Sequence, residues 1–223
     1  PKAVVAVALP LCPDFVAADG APEGLVLRMT TEQMTAAAQP SDFILSRLNA
    51  PLARICLGFF REGRPARIEG RDLTKALTSL VRRSKAETVP ELVAWIQRWL
   101  GREVAKLNAT KRRSAQARVD LIYDQVETLE CLAEGLATVE ELLARIHELF
   151  GERRGPCIVL STVHRAKGLE APRVFLLEDT LYCGGRRQTE EERNIHYVGV
   201  TRARETLVLV RNPKEELVSG EPR

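Results

Sequence analysis

Several features that would name a chemistry outright are missing from these 223 residues. No G-x-x-x-x-G-K-[ST] stretch occurs, and no acidic pair after a strand reads as a magnesium-binding motif. The chain therefore has neither the loop that cradles nucleotide phosphates nor the carboxylates that hold magnesium, and by itself it should not hydrolyse a nucleotide. No nucleophile–base pair and no metal-ligating cluster is visible, which argues against a small-molecule α/β enzyme. No apolar run approaches the ~18 residues of a membrane span, and no signal peptide precedes the first element. The five cysteines (Cys12, Cys56, Cys131, Cys157 and Cys183) are odd in number, widely spaced and without a C-x-x-C pair. That pattern excludes a disulfide frame or zinc site and reads as the reduced thiols of an intracellular, cytoplasmic protein. Internal repeats and low-complexity tracts are absent too.

What remains is an ordinary globular composition with a net charge of +3, which permits a nucleic-acid partner without arguing for one. Basic clusters stand at Arg82-Arg83-Lys85, Lys111-Arg112-Arg113, Arg153-Arg154 and Arg186-Arg187, each read first as solvated surface. The length suits one α/β domain carrying an insertion. The opening Pro1-Lys2-Ala3, without methionine, suggests a piece of a longer chain.

Hydrophobic spacing supplies the elements. Residues 2–9 are helix-compatible, Leu25 to Met29 make a short strand, and Thr30 with Gln33 caps a brief helix that Pro40 closes. Phe43-Ile44-Leu45 is a buried strand running into Ser46-Arg47-Leu48-Asn49. Asn49 reads as the cap of a helix with Leu52, Ile55, Cys56, Phe59 and Phe60 on one face. A strand at 66–69 and an amphipathic helix through Leu73, Leu77 and Leu80 follow. Residues 84–150 hold no strand candidate. Three apolar stripes, with capping boxes at Thr88/Glu91 and Thr138/Glu141, make this an all-helical insertion. Trp95 and Trp99 share helical spacing with leucines and read as core, in preference to base-stacking platforms. Three strands (Cys157 to Leu160, Val174 to Leu177, Leu207 to Val210) then surround one helix, capped by Thr189 with Glu192. The expected organisation is 1–83 and 151–211 as two parts of one domain, 84–150 inserted, and 212–223 a flexible tail.

The chemistry concentrates after residue 157. A strand running into Ser161, Thr162 and His164, then Lys167-Gly168-Leu169-Glu170, places polar groups at a strand's carboxyl end, where α/β proteins bind ligands. Ile195, Val198 and Arg202 fall at i, i+3 and i+7. Arg202 thus continues a stripe that faces the protein, where a lone cation is costly and calls for an anion.

TVHRAKGLE resembles motif V, EERNIHYVGVTRAR resembles motif VI, and ILSRLNAPL resembles the motif IV-like segment of UvrD/Rep-type superfamily 1 DNA helicases. Ala171 departs from the pattern, which usually has an aromatic residue after the glutamate. The resemblance implies the second (C-terminal) RecA-like motor domain: an α/β parallel sheet flanked by helices, with a reduced accessory subdomain as its helical insertion. It implies ATP with Mg2+, bound mainly by the N-terminal RecA-like domain of the same protein. Arg202 would be the arginine finger, with Glu170 on the nucleotide sugar and Gly168 shaping the nucleotide side of the loop. Arg47, Asn49, Thr162 and His164 would contact single-stranded DNA or a single/double-strand junction, with Thr162 and His164 across the same strand end from Glu170. Movement would be 3′ to 5′, in replication, repair or recombination. The plainer readings are a salt bridge of Arg202 with Glu191 or Glu205, a helix cap for Asn49, a loop carboxylate for Glu170 and a structural histidine at 164. The competing function is a motor-less remnant that binds DNA or a protein and hydrolyses nothing.

Overall fold

The computed structural model describes residues 1–110, 115–151, 155–181 and 190–213. Six strands form one sheet: β1 (Leu25–Met29), β2 (Phe43–Ser46), β3 (Ala66–Ile68), β4 (Ile158–Thr162), β5 (Ala171–Leu177) and β6 (Ala203–Val210). Their order is β1-β6-β5-β2-β4-β3 and every pairing is parallel. Around it lie α1 (Lys2–Ala8), α2 (Thr31–Ala37), α3 (Asn49–Arg61), α4 (Arg71–Ser84), α5 (Val89–Ala109), α6 (Ala115–Ala133), α7 (Val139–Phe150) and α8 (Glu190–Val200). This is an α/β parallel sheet with an all-helical insertion, as the residue pattern implies, in the RecA-like architecture that the resemblance implies.

A parallel sheet must be covered on both faces, and the period-2 alternation of its strands divides the core accordingly. Ile44, Leu160, Phe175 and Val208 point to a core shared with α3, α4 and the insertion. Phe43, Leu45, Leu176 and Leu207 point to a second core closed by α1 and α8. The insertion joins the first core directly: Leu92, Ile96, Leu129, Leu132, Leu142 and Ile146 are each at most 1% exposed. Both of its capping boxes form, and Thr88 and Thr138 pair across an isolated antiparallel bridge that ties the starts of α5 and α7 together. Trp95 and Trp99 stack with ring centroids 6.2 Å apart, and Trp99 is buried, so this pair belongs to the core.

Several boundaries differ from the hydrophobic pattern, among them the start of β6 at Ala203, four residues before Leu207. β4 begins at Ile158 and extends through Thr162, because Thr162 pairs in register with Ser46. β5 starts at Ala171, directly after Glu170, because Ala171 pairs with Ala203 and its N–H donates to the Arg202 carbonyl. α8 ends at Val200, which leaves Arg202 in the turn beyond it and off the helical stripe. Asn49 is likewise no cap: α3 starts at Asn49 itself, after Leu48, which contributes no side-chain bond. The Thr189 cap, Cys183, the clusters at 111–113, 153–154 and 186–187, and the tail from 214 lie outside the described residues. Among the described residues no helix is long and apolar enough to cross a membrane.

Candidate functional site

Ser46 and Thr162 close neighbouring strands at the same level, so the segments that follow them emerge side by side. Arg47 is fixed there by its backbone, whose N–H donates to Thr180 Oγ1 at 2.9 Å. Its guanidinium lies 3.4 Å from His164 Nδ1 and meets two carboxylates at the start of α8, Glu192 at 3.2 Å and Glu191 at 3.8 Å. Arg47 and His164 are thus brought together. Glu191, an alternative partner for Arg202 in the sequence, stands here instead. Thr162 is buried, and its carbonyl accepts the N–H groups of Arg165 and Ala166, turning the chain out of the strand. His164 reaches the surface but is crowded on one side. That burial, then the charge of Arg47, pushes its imidazole below the ordinary value; Arg165 adds to the effect while Glu191 and Glu192 oppose it. The ring is therefore neutral near pH 7, able to hydrogen-bond or stack without acting as a cation.

Asn49 sits behind this cluster with 6% exposure. Its amide nitrogen donates to Asp124 Oδ2 at 2.6 Å, and its Oδ1 accepts from Arg165 at 3.0 Å. Asp124, from α6 in the insertion, also accepts the backbone N–H groups of Asn49 and Ala50 at 2.8 and 3.1 Å. A carboxylate from another helix therefore does the capping that Asn49 itself does not. The side chain of Asn49 is committed to internal bonds that link the insertion, α3 and the loop after β4.

That loop, residues 163–170, does not stay at the carboxyl edge. In register, the level of Thr162 matches Leu177, six positions past Ala171, so the loop descends roughly 20 Å at ~3.3 Å per residue. Val163 and Ala166 pack it onto the second core. Glu170 therefore lies at the opposite edge of the sheet from Thr162 and His164, and not across one strand end from them. α8 runs alongside, with Glu191 and Glu192 at the Arg47 end and its last turn at the other. An open cleft of about 380 Å³ between loop and helix is lined by His164, Lys167, Glu191, Asn194 and Val198, among others.

At the lower end Arg202 wraps back over the end of α8. Its Nε donates to the Val198 carbonyl at 2.9 Å, Nη2 to Thr201 Oγ1 at 2.9 Å and Nη1 to the Leu169 carbonyl at 3.2 Å. A cation satisfying the last carbonyls of a helix is a familiar C-terminal cap. Among the described residues no carboxylate lies within ion-pairing distance of it, so neither Glu191 nor Glu205 neutralises it. Glu170 and Gly168 are exposed on the same stretch. Gly168 has φ of 86° and nothing within 4 Å of where a Cβ would stand, so its backbone is open to approach. The structure thus forms two clusters, Arg47–Thr162–His164 above and Gly168–Glu170–Arg202 below. Asp124 and Arg165 were missed in the sequence. Asp124 heads a buried row with Thr128 and Leu132 at i+4 and i+8, the same signal of a charge continuing a stripe that singled out Arg202.

Residues 69–214 match the family model of the UvrD-like helicase C-terminal domain, well over half of the chain. The chain is similar to DNA helicase II of Haemophilus influenzae, at 39% identity over 74 residues that make up 30% of this chain and 10% of that protein. It is also similar to the ATP-dependent DNA helicase PcrA of Bacillus subtilis, at 30% identity over 159 residues, 68% of this chain and 18% of that protein. The chain therefore spans less than a fifth of the length of either relative. On its residues, its parallel sheet with a helical insertion and this match, the chain belongs to the UvrD-like helicase C-terminal domain family, as a motor-like domain homologous to the C-terminal region of superfamily 1 DNA helicases.

Proposed function

We propose that this chain is the second motor domain of an ATP-dependent DNA helicase or translocase, moving 3′ to 5′ on single-stranded DNA. It supplies the arginine finger and DNA contacts while a first RecA-like domain supplies the phosphate loop. The observation that carries this reading is the state of Arg202: a guanidinium tethered through backbone carbonyls and a hydroxyl, with no carboxylate of the described residues in ion-pairing distance, near Glu170 and an open Gly168.

Nucleotide bound with Mg2+ by the first domain supplies the phosphoryl group. This chain's part is to present positive charge where negative charge develops, with Glu170 orienting the nucleotide sugar. At the other edge Arg47, Thr162 and His164 grip the DNA backbone without reading sequence, while Asn49 holds the strand end on which they stand. Loop 163–170 and α8 span both clusters as packed elements, so closure on nucleotide at one edge shifts the grip at the other.

The test is DNA-stimulated ATP hydrolysis by the protein with both motor domains. Arg202→Ala should lower kcat by roughly 10³ to 10⁵ with little change in DNA affinity. Full activity in Arg202→Ala removes the finger assignment. Absence of any DNA-stimulated hydrolysis in the parent protein favours the motor-less remnant.

A further inference from the structure

The two clusters leave one charged face of the molecule unused. Along α4, Lys75, Thr78 and Arg82 follow Arg71 at i+4, i+7 and i+11, so the four stand in one row, with Arg83 beside it. The last turn of α7 faces them and contributes His147. These residues line an open groove of about 800 Å³, and among the described residues no carboxylate stands in its wall. Lys75, Arg82 and Arg83 are exposed, and among the described residues none has an acidic group within ion-pairing distance, whereas Arg54, Arg61 and Arg67 each meet a glutamate.

A second observation sits in the wall of that groove. Thr78 is 9% exposed and its Oγ1 is buried without a hydrogen-bond partner. An unsatisfied buried hydroxyl costs about 1–3 kcal/mol, so it is expected to have an acceptor in some state of the molecule. The groove also has a definite place. A Cβ on Gly70, just before Arg71, would stand 3.1 Å from Nη1 of Arg165, so the row of cations begins beside the loop that carries His164. From Arg71 to Arg82 the row extends roughly 16 Å at 1.5 Å per residue. That length covers several phosphates of a strand charged every ~3.4 Å along its axis.

We propose that the groove between α4 and α7 is a second phosphate-backbone site, taking the stretch of nucleic acid that runs on from His164. The inference rests on the DNA-motor reading above. It assigns a role to the Arg82-Arg83 pair that motifs V and VI leave unused. Arginine and lysine bind the phosphates there without base contacts, and the Thr78 hydroxyl donates to a phosphate oxygen.

The test uses the full chain and fluorescence anisotropy with a labelled oligothymidine and a labelled forked duplex, each titrated with salt. The variants are Lys75→Gln/Arg82→Gln/Arg83→Gln, which removes the three charges and keeps the Cβ–Cδ stems, the isosteric Thr78→Val, and His164→Ala. The triple variant should reduce the slope of log K against log salt by about 2, three contacts at ~0.7 each, and weaken binding roughly tenfold to a hundredfold at ~0.1 M salt. Thr78→Val should weaken binding severalfold with Tm at or above that of the parent. Loss confined to oligothymidine assigns the groove to single strand, and loss confined to the fork assigns it to the duplex arm. If His164→Ala weakens binding while the α4 variants keep the parent's affinity and slope on both ligands, the groove proposal is overturned and the motor reading stands. A parent that binds neither DNA overturns both.

Discussion

His164 shows how one residue's surroundings decide what kind of contact it can make. An imidazolium would grip phosphate by charge, but burial and the guanidiniums of Arg47 and Arg165 hold the ring neutral, with Glu191 and Glu192 too weak to reverse them. His196, on the buried side of α8, is pushed in the same direction by burial. In the unfolded chain both rings take up a proton near the ordinary value of 6.5, before the folded rings do. The unfolded state therefore binds more protons as pH falls below 6.5, and stability falls with it. Above that value both states are neutral and the contribution is constant. Glu178, raised by burial, works the other way at lower pH, because its folded carboxyl takes up a proton first. We expect a Tm that is flat between pH 7 and 8 and declines below about 6.5, with a shallower decline in His164→Gln, measured by calorimetry across that range. An equally steep decline in the variant would mean that the ring titrates alike in both states. The sequence made His164 visible as a candidate because it stands inside a motif. Its neutrality was not visible, because Arg47 lies 117 positions away and reaches it only through the pairing of β2 with β4.

Between elements, the principal joint is the one Asp124 makes. Its carboxylate accepts two backbone N–H groups at the start of α3 and the Asn49 amide, and Asn49 in turn accepts from Arg165. The sequence alone made Asn49 a cap, since Asn before a helical stripe with Pro51 in its first turn is a good start signal. A partner 75 residues away overrides that local preference, which no reading of neighbours along the chain could supply. The strand interiors, by contrast, were legible because Ile44, Leu160 and Phe175 sit in unbroken apolar runs, while strand ends such as Ala171 and Ala203 depend on which strand lies alongside. Asp124→Ala would strand buried donors at the start of α3, at a cost of about 3–5 kcal/mol. Asp124→Asn retains one acceptor for the backbone but sets an NH2 against the Asn49 amide nitrogen, or, if Asn49 turns over, sets that amide's nitrogen against Arg165. Its loss should be smaller, about 1–2 kcal/mol. Urea unfolding of the two variants checks this ordering, and equal, small losses would show that the α6–α3 joint carries little energy.

For the whole molecule, the question is whether the helical insertion is an arm that swings on the motor domain or part of its core. Sequence spacing separates residues 84–150 cleanly by type, helices in an α/β chain, and so suggests a separate unit. The packing argues otherwise. Leu92, Ile96, Leu129, Leu132, Leu142 and Ile146 share one continuous core with Leu52, Phe59, Ile68 and Leu77. Each such side chain contributes about 1.5–3 kcal/mol when fully buried, and six of them together rival the whole net stability of a typical domain, about 5–15 kcal/mol. Removing the insertion would also take away Asp124 and expose the apolar faces of α3 and α4. We therefore expect a chain in which a short flexible linker joins Ser84 to Gly151 to lose its cooperative thermal transition and its near-ultraviolet circular dichroism while keeping much of its helical signal. A sharp transition near the parent's Tm would instead establish the insertion as an autonomous arm. In that case the Asp124–Asn49–Arg165 link would be a docking contact that opens and closes, and not a fixed part of the frame that sets Arg47 and His164 side by side.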